Sequence, residues 1–166
     1  MVHLMLLRHA KSDWSQEDLL DIDRPLNPRG QKAAPQMADW IRKHDWLPDR
    51  VLCSSAKRTR QTWERMVDAW KQADLKQPSI PEAHFIDRLY LATPQVILEE
   101  AMGHAAGAQS LMIIGHNPGI EMLATRLSDT PCEMRTCQLV IFDAPGAWPE
   151  DWWDSSSWSM VAQHRP

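Results

Sequence analysis

The chain alternates short apolar runs with longer segments in which apolar residues recur every three or four positions. The apolar runs lie at residues 2–7, 50–53, 83–86, 111–114 and 138–142. Short runs of this kind, bounded by polar or turn residues, are typical of strands in a sheet that is covered on both faces. The pattern therefore predicts five strands, and the runs at 2–7 and 111–114 are the clearest.

The segments between these strands predict helices. Asn27 and Pro28 form a cap and a first-turn proline for the first helix, whose buried face combines Ala33, Ala34, Met37, Trp40 and Ile41. Pro35 falls inside this segment, so either the helix kinks there or it begins late, with Pro35 in its first turn.

Three further helices follow the same logic. The second, at about 56–72, places Trp63, Met66, Val67 and Trp70 on one face. Thr93 and Pro94 open the third, which extends to about residue 103, and Asn117 and Pro118 start the fourth. The inward face of the fourth helix comprises Ile120, Leu123, Ala124 and Leu127.

Strands that alternate with helices imply an α/β fold, here a three-layer α/β/α sandwich with a mainly parallel sheet. The 166 residues fit a single domain, 1–166. Its C-terminal segment, 145–166, is rich in tryptophan, and residues 158–162 could add a last strand. The tryptophans either cover an edge of the sheet or form a protein-binding patch.

Charge and cysteine content argue against several classes of function, namely nucleic-acid binding, membrane binding and metal binding by cysteines. The formal net charge of -4 argues against nucleic acid or an anionic membrane as a general partner. No stretch approaches the roughly 18 apolar residues that span a bilayer, and the first strand lacks the flanks of a signal peptide. Cys53, Cys132 and Cys137 match no metal-binding spacing, so we expect three reduced thiols in a cytoplasmic protein.

Candidate chemistry is concentrated at three strand-to-helix turns. The first carries Arg8 and His9, the second (54–62) carries Arg58, and the third (115–119) carries His116. Parallel strands place these turns at one edge of the sheet, where the four side chains can converge. Helix N-termini add positive potential there. This cluster predicts a site for a dianionic phosphoryl group.

The same turns resemble the motifs of the histidine phosphatase (phosphoglycerate mutase-like) superfamily. Leu7-Arg8-His9-Ala10 is similar to its Arg-His-Gly signature, with alanine in place of glycine. Residues 54–62 resemble its Ser-Pro-x-x-Arg-x-x-Gln-Thr segment, with Ser55 in place of proline, and residues 114–117 resemble its second-histidine motif. The short chain and residues 23–30 resemble more narrowly the SixA-type phosphohistidine phosphatases.

The resemblance implies a phosphoglycerate mutase-like fold and a role for each matching residue. His9 would be the nucleophile and become transiently phosphorylated, Arg8 and Arg58 would clamp the phosphoryl oxygens, and His116 would donate a further hydrogen bond. Arg24 would be an additional arginine on the phosphate side. Asn117 lies next to the pocket, although capping of the fourth helix explains it more simply.

Phosphoryl transfer at such a site needs a neutral nucleophile in a fixed tautomer. Nearby guanidinium charges disfavour the protonated form of His9, and a backbone carbonyl on its other ring nitrogen would set the tautomer. Because arginines supply the positive charge, we expect no metal and no cofactor.

Many members of the superfamily place a glutamate, acting as general acid, shortly after the third strand. The matching residues 88–92 contain no carboxylate. Asp13 and Asp87 are the possible substitutes. A phosphoramidate such as phosphohistidine has a better leaving group than a sugar phosphate and depends less on an acid. The short connection from residue 86 to 111 leaves no room for a lid domain.

These observations favour a phosphatase that acts on phosphohistidine, on a signalling or phosphotransfer protein. Two alternatives remain open. One is a broad phosphomonoesterase for small phosphorylated molecules, with Asp13 or Asp87 as acid. The other is a non-catalytic module that binds phosphorylated ligands.

Overall fold

The computed structural model describes residues 1–73 and 80–166. The strands are β1 (Val2–Arg8), β2 (Arg50–Ser54), β3 (Ala83–Ile86), β4 (Ser110–Gly115), β5 (Leu139–Ala144) and β6 (Ser159–His164). The helices are α1 (Pro28–Lys43), α2 (Lys57–Gln72), α3 (Pro94–His104) and α4 (Gly119–Ser128). All five predicted strands and the additional strand near the C-terminus are confirmed, with small shifts of their ends.

The six strands form one sheet in the order β3-β2-β4-β1-β5-β6. The pairs β3-β2, β2-β4 and β4-β1 are parallel, whereas β5 is antiparallel to both β1 and β6. Only β5 therefore runs against the other strands, which confirms the mainly parallel α/β fold. Arg8 pairs with Gly115 at the end of the β1-β4 ladder. This register releases His9 and His116 side by side.

The core lies on both faces of the sheet because successive strand residues point to opposite sides. Leu4 and Leu6 of β1 pack with Ile97 of α3 and Leu123 of α4, whereas Met5 and Leu7 pack on the other side with residues of α1 and α2. The inward residues on α1 and α2 are Ala34, Met37, Ala38, Ile41, Trp63, Met66 and Trp70. The helices thus form two outer layers, as predicted.

Helix α1 begins at Pro28 and passes through Pro35, so the late start that the sequence left open is wrong. The Asn27 side chain caps the helix by accepting a hydrogen bond from the backbone N–H of Gly30, at 2.9 Å. Pro35 removes only one backbone donor, and burial of Ala34 and Met37 on either side of it keeps the segment packed against the sheet.

The tryptophan-rich segment 145–166 packs into the core on the α3 and α4 side. Trp152 and Trp158 are buried, and Trp148 stacks on Trp152 with ring centroids 5.0 Å apart. The Trp148 indole N–H donates to the carbonyl of Ala108, just before β4 begins. These rings therefore cover the end of the sheet opposite His116, and the buried ones cannot form a protein-binding patch.

Candidate active site

The four residues that the sequence singled out meet at one cavity. Arg8, His9, Arg58 and His116 all line a cavity of about 420 Å³ at the carboxyl end of the parallel strands. Three different strand ends bring them there, as predicted. A cavity of about 470 Å³ beside β6 contains none of the four, so its size alone does not indicate the chemistry.

His9 is buried, and its orientation is fixed by the backbone. Its Nδ1 lies 2.7 Å from the carbonyl oxygen of Ala10. Because a carbonyl can only accept, Nδ1 must carry the proton, and a neutral ring then has its lone pair on Nε2. Burial, together with the charges of Arg58 and Arg8, lowers the pKa of His9 to about 3. The ring is thus neutral near pH 7, with Nε2 free to act as a nucleophile.

His116 lies beside His9, with ring centroids 5.1 Å apart. Its Nε2 is 2.7 Å from the hydroxyl of Ser54, the last residue of β2. Burial, electrostatic coupling to the adjacent His9 ring and the charge of Arg58 lower the pKa of His116 to about 2, so this ring is also neutral near pH 7. When the Ser54 hydroxyl donates to Nε2, Nδ1 carries the proton, and Nδ1 has no partner among the described residues. His116 is arranged to donate one hydrogen bond.

The two arginines are held by backbone carbonyls. Arg8 donates through Nη1 to the carbonyl of Met134 at 2.8 Å, while its Nε is buried without a partner among the described residues. Arg58, in the first turn of α2, is only 4% exposed and donates through Nη1 to the carbonyl of Asp21. Burial lowers the pKa of Arg8, but a guanidinium stays charged at neutral pH. Both cations are therefore held in place at the cavity.

Asp21 is a cavity residue that the sequence analysis missed. Its carboxylate accepts hydrogen bonds from Arg58 Nη2 at 2.9 Å and from the Tyr90 hydroxyl at 2.6 Å. Partial burial raises the pKa of Asp21, but the hydrogen bonds from Tyr90 and Arg58 outweigh it, and the net pKa lies below the ordinary value. Asp21 is therefore ionised at neutral pH.

The loop after β1 offered no signal that would have selected Asp21. Its five carboxylates are Asp13, Glu17, Asp18, Asp21 and Asp23. Only the fold shows which of them lies beside Arg58. Tyr90 was overlooked for a related reason, since the residue expected within 88–92 was a carboxylate.

Arg24 and Asn117 occupy less central positions than the four main residues. The Arg24 guanidinium lies over the ring of Trp14, 4.3 Å from its centroid, and Trp14 rather than Arg24 lines the cavity.

Asn117 does line the cavity. Its predicted role as helix cap is wrong, because α4 begins after Pro118 and the Asn117 amide instead donates to Glu121 and to the carbonyl of Met134.

Neither of the two possible acids lines the cavity. Asp13 accepts a hydrogen bond from the backbone N–H of Ser15, and this bond lowers the pKa of Asp13. Asp87 starts a short 3-10 helix after β3 and is exposed. Neither carboxyl group is therefore placed to donate a proton inside the cavity.

The polar residues after Arg58 form hydrogen bonds that hold the loops at the cavity in place. The Thr62 hydroxyl accepts from the backbone N–H of Ala10 at 3.0 Å, and the Gln61 side chain accepts from the N–H of Leu26 at 2.8 Å. Gly30 lets the start of α1 pack closely against the backbone of Lys11, because a Cβ there would lie 2.2 Å from the carbonyl oxygen of Lys11. The loop after His9 is thus fixed against α1 and α2.

Comparison with known proteins shows the family of this chain. A profile of the histidine phosphatase superfamily (branch 1) matches residues 4–104. An uncharacterised chloroplastic protein of Arabidopsis thaliana is 34% identical over 158 residues, which cover 89% of this chain and 69% of the plant protein. The chain belongs to the histidine phosphatase superfamily.

Two solved structures narrow the class. A candidate phosphohistidine phosphatase SixA from Agrobacterium tumefaciens is 27% identical, with 99% of each chain covered and a TM-score of 0.77. Another from Nakamurella multipartitia is 25% identical, with 99% of this chain and 96% of that chain covered and a TM-score of 0.80. Within the superfamily, the protein is of the SixA type, and this membership supports a phosphatase function.

Proposed function

We propose that the protein is a phosphohistidine phosphatase that removes the phosphoryl group from a histidine of a protein, through a covalent intermediate on His9. The neutral His9 Nε2 supplies the nucleophile, and Arg8, Arg58 and His116 supply donors for the phosphoryl oxygens. The acceptor on Nδ1 keeps the nucleophilic nitrogen unprotonated. No step calls for a metal ion, since the arginines carry the positive charge.

The ionised carboxylate of Asp21 is the observation that supports phosphohistidine as the substrate. A general acid must be protonated at the working pH, which requires a raised pKa. The carboxylate that the cavity contains has a lowered pKa and is bound to Arg58 and Tyr90. An alkoxide leaving group would therefore depart without a carboxyl donor. The imidazole of a phosphohistidine can depart as a neutral ring, so the site suits an N-phosphorylated substrate.

In the first step, the lone pair of His9 Nε2 forms a bond to phosphorus as the P–N bond of the substrate breaks. The electron pair of that bond returns to the substrate nitrogen, and the substrate leaves as a neutral imidazole when its other ring nitrogen carries a proton. Arg8 and Arg58 hold the equatorial oxygens, and the Nδ1–H of His116 donates to one of them. The product is a phosphorylated His9.

In the second step, water attacks phosphorus, and the bond to His9 Nε2 breaks. The electron pair returns to Nε2, the water proton ends on phosphate or solvent, and inorganic phosphate leaves. His9 regains its starting tautomer because Nδ1 keeps its hydrogen bond to Ala10 throughout.

We place the enzyme in the cytoplasm, with a signalling or phosphotransfer protein as its substrate. The state of the cysteines supports the compartment. Cys53, Cys132 and Cys137 are buried free thiols, as expected in a reducing compartment. None of the described helices combines the length and apolar character needed to cross a bilayer.

The test is a comparison of turnover for a phosphohistidine protein, a phosphotyrosine peptide and a sugar phosphate, with His9→Ala as the inactive control. We expect kcat/KM for phosphohistidine to exceed the other two by at least about tenfold, because only its leaving group needs no acid. A sugar phosphate that is turned over fastest, with the activity lost in His9→Ala, would contradict the proposed substrate while leaving His9 as nucleophile.

A further inference from the structure

A basic groove lies next to the catalytic cavity. It has a volume of about 240 Å³ and is lined by the cations Lys11, Arg29, Lys32 and Arg165. The lining contains no aspartate or glutamate, and the terminal carboxylate of Pro166, which also lines the groove, offsets one of the four positive charges. Lys11 and Thr136 line both the groove and the catalytic cavity, so the two spaces share a wall. The protein as a whole has a formal charge of -4, which makes this positive surface a local feature.

These cations are not used to hold the fold together. Among residues 1–73 and 80–166, none of the four has a carboxylate oxygen within 4.0 Å, whereas Arg42, Arg58, Arg88 and Arg135 each have at least one. Arg29 also lies in the first turn of α1, which contains no acidic residue. A cation at a helix N-terminus is mildly unfavourable. The groove therefore keeps positive charge that the isolated protein does not need.

The side chains of the groove differ from those of the catalytic cavity. Arg58 is buried and fixed by two hydrogen bonds, as suits tight binding of one phosphoryl group. Lys11, Arg29 and Lys32 are exposed and have long, flexible stems. Exposed cations of this kind attract and orient an acidic surface rather than enclose a single small anion.

The rim of the catalytic cavity also suits a macromolecule. Trp14 and Leu91 line the cavity and are 62% and 51% exposed, respectively. Large apolar side chains at the mouth of a polar site contact little of a small phosphate ester. They can pack against the surface of a protein that presents its phosphohistidine to His9.

We propose that this groove binds carboxylate side chains that the protein substrate presents beside its phosphohistidine. The inference rests on the proposed function and adds the chemistry that selects the partner. An extended chain advances about 3.3–3.6 Å per residue, so acidic residues within a few positions of the phosphohistidine can reach the shared wall at Lys11. The partner is thus a phosphohistidine protein whose surface is acidic around the modified residue.

The experiment uses one phosphohistidine peptide with glutamates on both sides of the modified residue and a second with glutamines there. Wild type is compared with Arg29→Glu/Lys32→Glu, which changes residues that line the groove and not the catalytic cavity. Arg65→Glu, on the exposed face of α2 and outside the groove, is the matched control. Turnover of phosphoramidate by each variant reports whether the catalytic cavity is intact.

We expect wild type and Arg65→Glu to prefer the glutamate peptide by about tenfold in kcat/KM at low salt, and the preference to shrink as salt is added. The double variant should lose or reverse this preference while it turns over phosphoramidate at the wild-type rate. An unchanged preference in the double variant, or none in wild type, would overturn the inference alone. A bisphosphorylated sugar is assayed in parallel. If the double variant kept the peptide preference and lost only turnover of this sugar, the groove would be assigned to a small molecule, which would also overturn the inference. Failure of wild type to act on either peptide, with phosphate esters turned over, would overturn the proposed function as well.

Discussion

The carboxylate of Asp21 and the guanidinium of Arg58 form an ion pair of 2.9 Å inside the catalytic cavity. This pair places a negative charge beside a cation that the phosphoryl group of the substrate must also contact. Asp21 thereby orients Arg58 and at the same time opposes the binding of a dianion. The balance between the two effects can be measured.

We expect Asp21→Asn to bind inorganic phosphate about three- to fivefold more tightly than wild type, because the substitution removes a like charge while the backbone carbonyl still holds Arg58. The effect is modest because the Asp21 side chain is 39% exposed and solvent screens its charge. Isothermal titration calorimetry gives the dissociation constant. Asp23→Asn, in the same 3-10 helix but outside the cavity lining, is the control. Unchanged or weaker phosphate binding in Asp21→Asn would show that positioning of Arg58 outweighs repulsion.

The two buried histidines should make the stability of the protein depend on pH. Their pKa values of about 3 and about 2 in the folded protein lie below the ordinary 6.5 that applies after unfolding. The unfolded chain thus binds more protons below pH 6.5, and the stabilising effect of keeping His9 and His116 neutral is lost as the pH falls. At pH 5 the loss is about 2 kcal/mol for each histidine.

Thermal unfolding between pH 8 and pH 5 tests this linkage. The melting temperature of wild type should fall toward pH 5, and the double variant His9→Gln/His116→Gln should have a clearly flatter dependence. His84→Gln, which changes an exposed histidine on β3, is the control variant. Parallel slopes in wild type and the double variant would mean that these histidines are not buried as neutral rings.

Close backbone packing at Gly30 predicts a selective loss of stability. A methyl group there would meet the Lys11 backbone, so Gly30→Ala should lower the free energy of unfolding by about 2–3 kcal/mol. A methyl group at Gly103, in α3, would have nothing within 4 Å of it, so Gly103→Ala should be neutral or stabilising by up to about 1 kcal/mol. Urea unfolding measures both. Equal effects of the two substitutions would disprove the close approach.

Much of this site could be predicted from the sequence because its residues are adjacent to strand ends. Once β1 and β4 are recognised as parallel neighbours, the side-by-side positions of His9 and His116 follow from sheet geometry. Asp21 could not be selected in this way, since its place beside Arg58 depends on how a long loop folds back. The role of Asn117 was also misjudged, because its partners are Glu121 in the first turn of α4 and Met134 in the segment that follows this helix.

The position of the tryptophan-rich segment, 145–166, also could not be predicted from the sequence. Its composition alone fits either a cover for the sheet or a protein-binding patch. The choice is decided by long-range packing, such as the hydrogen bond from Trp148 to Ala108, which no local pattern reveals.

The buried cysteines should be inert in the folded protein. Burial raises the pKa of Cys137 to about 12 and also raises the pKa values of Cys53 and Cys132. Since only a thiolate reacts readily, iodoacetamide at neutral pH should leave the phosphatase activity intact and alkylate the thiols only after denaturation. Mass spectrometry counts the modified cysteines. Stoichiometric alkylation of native protein with parallel loss of activity would place a cysteine in the chemistry instead of His9.

The most direct measurement is rapid-quench trapping of the enzyme during turnover of a substrate labelled with radioactive phosphorus. The account predicts a phosphoenzyme that is labile in acid and stable in base, formed within the first turnover, with the label on His9. His9→Ala should form none, although it should still bind inorganic phosphate through Arg8, Arg58 and His116. The absence of a labelled intermediate in an active wild-type enzyme, or a label that persists in His9→Ala, would contradict the mechanism.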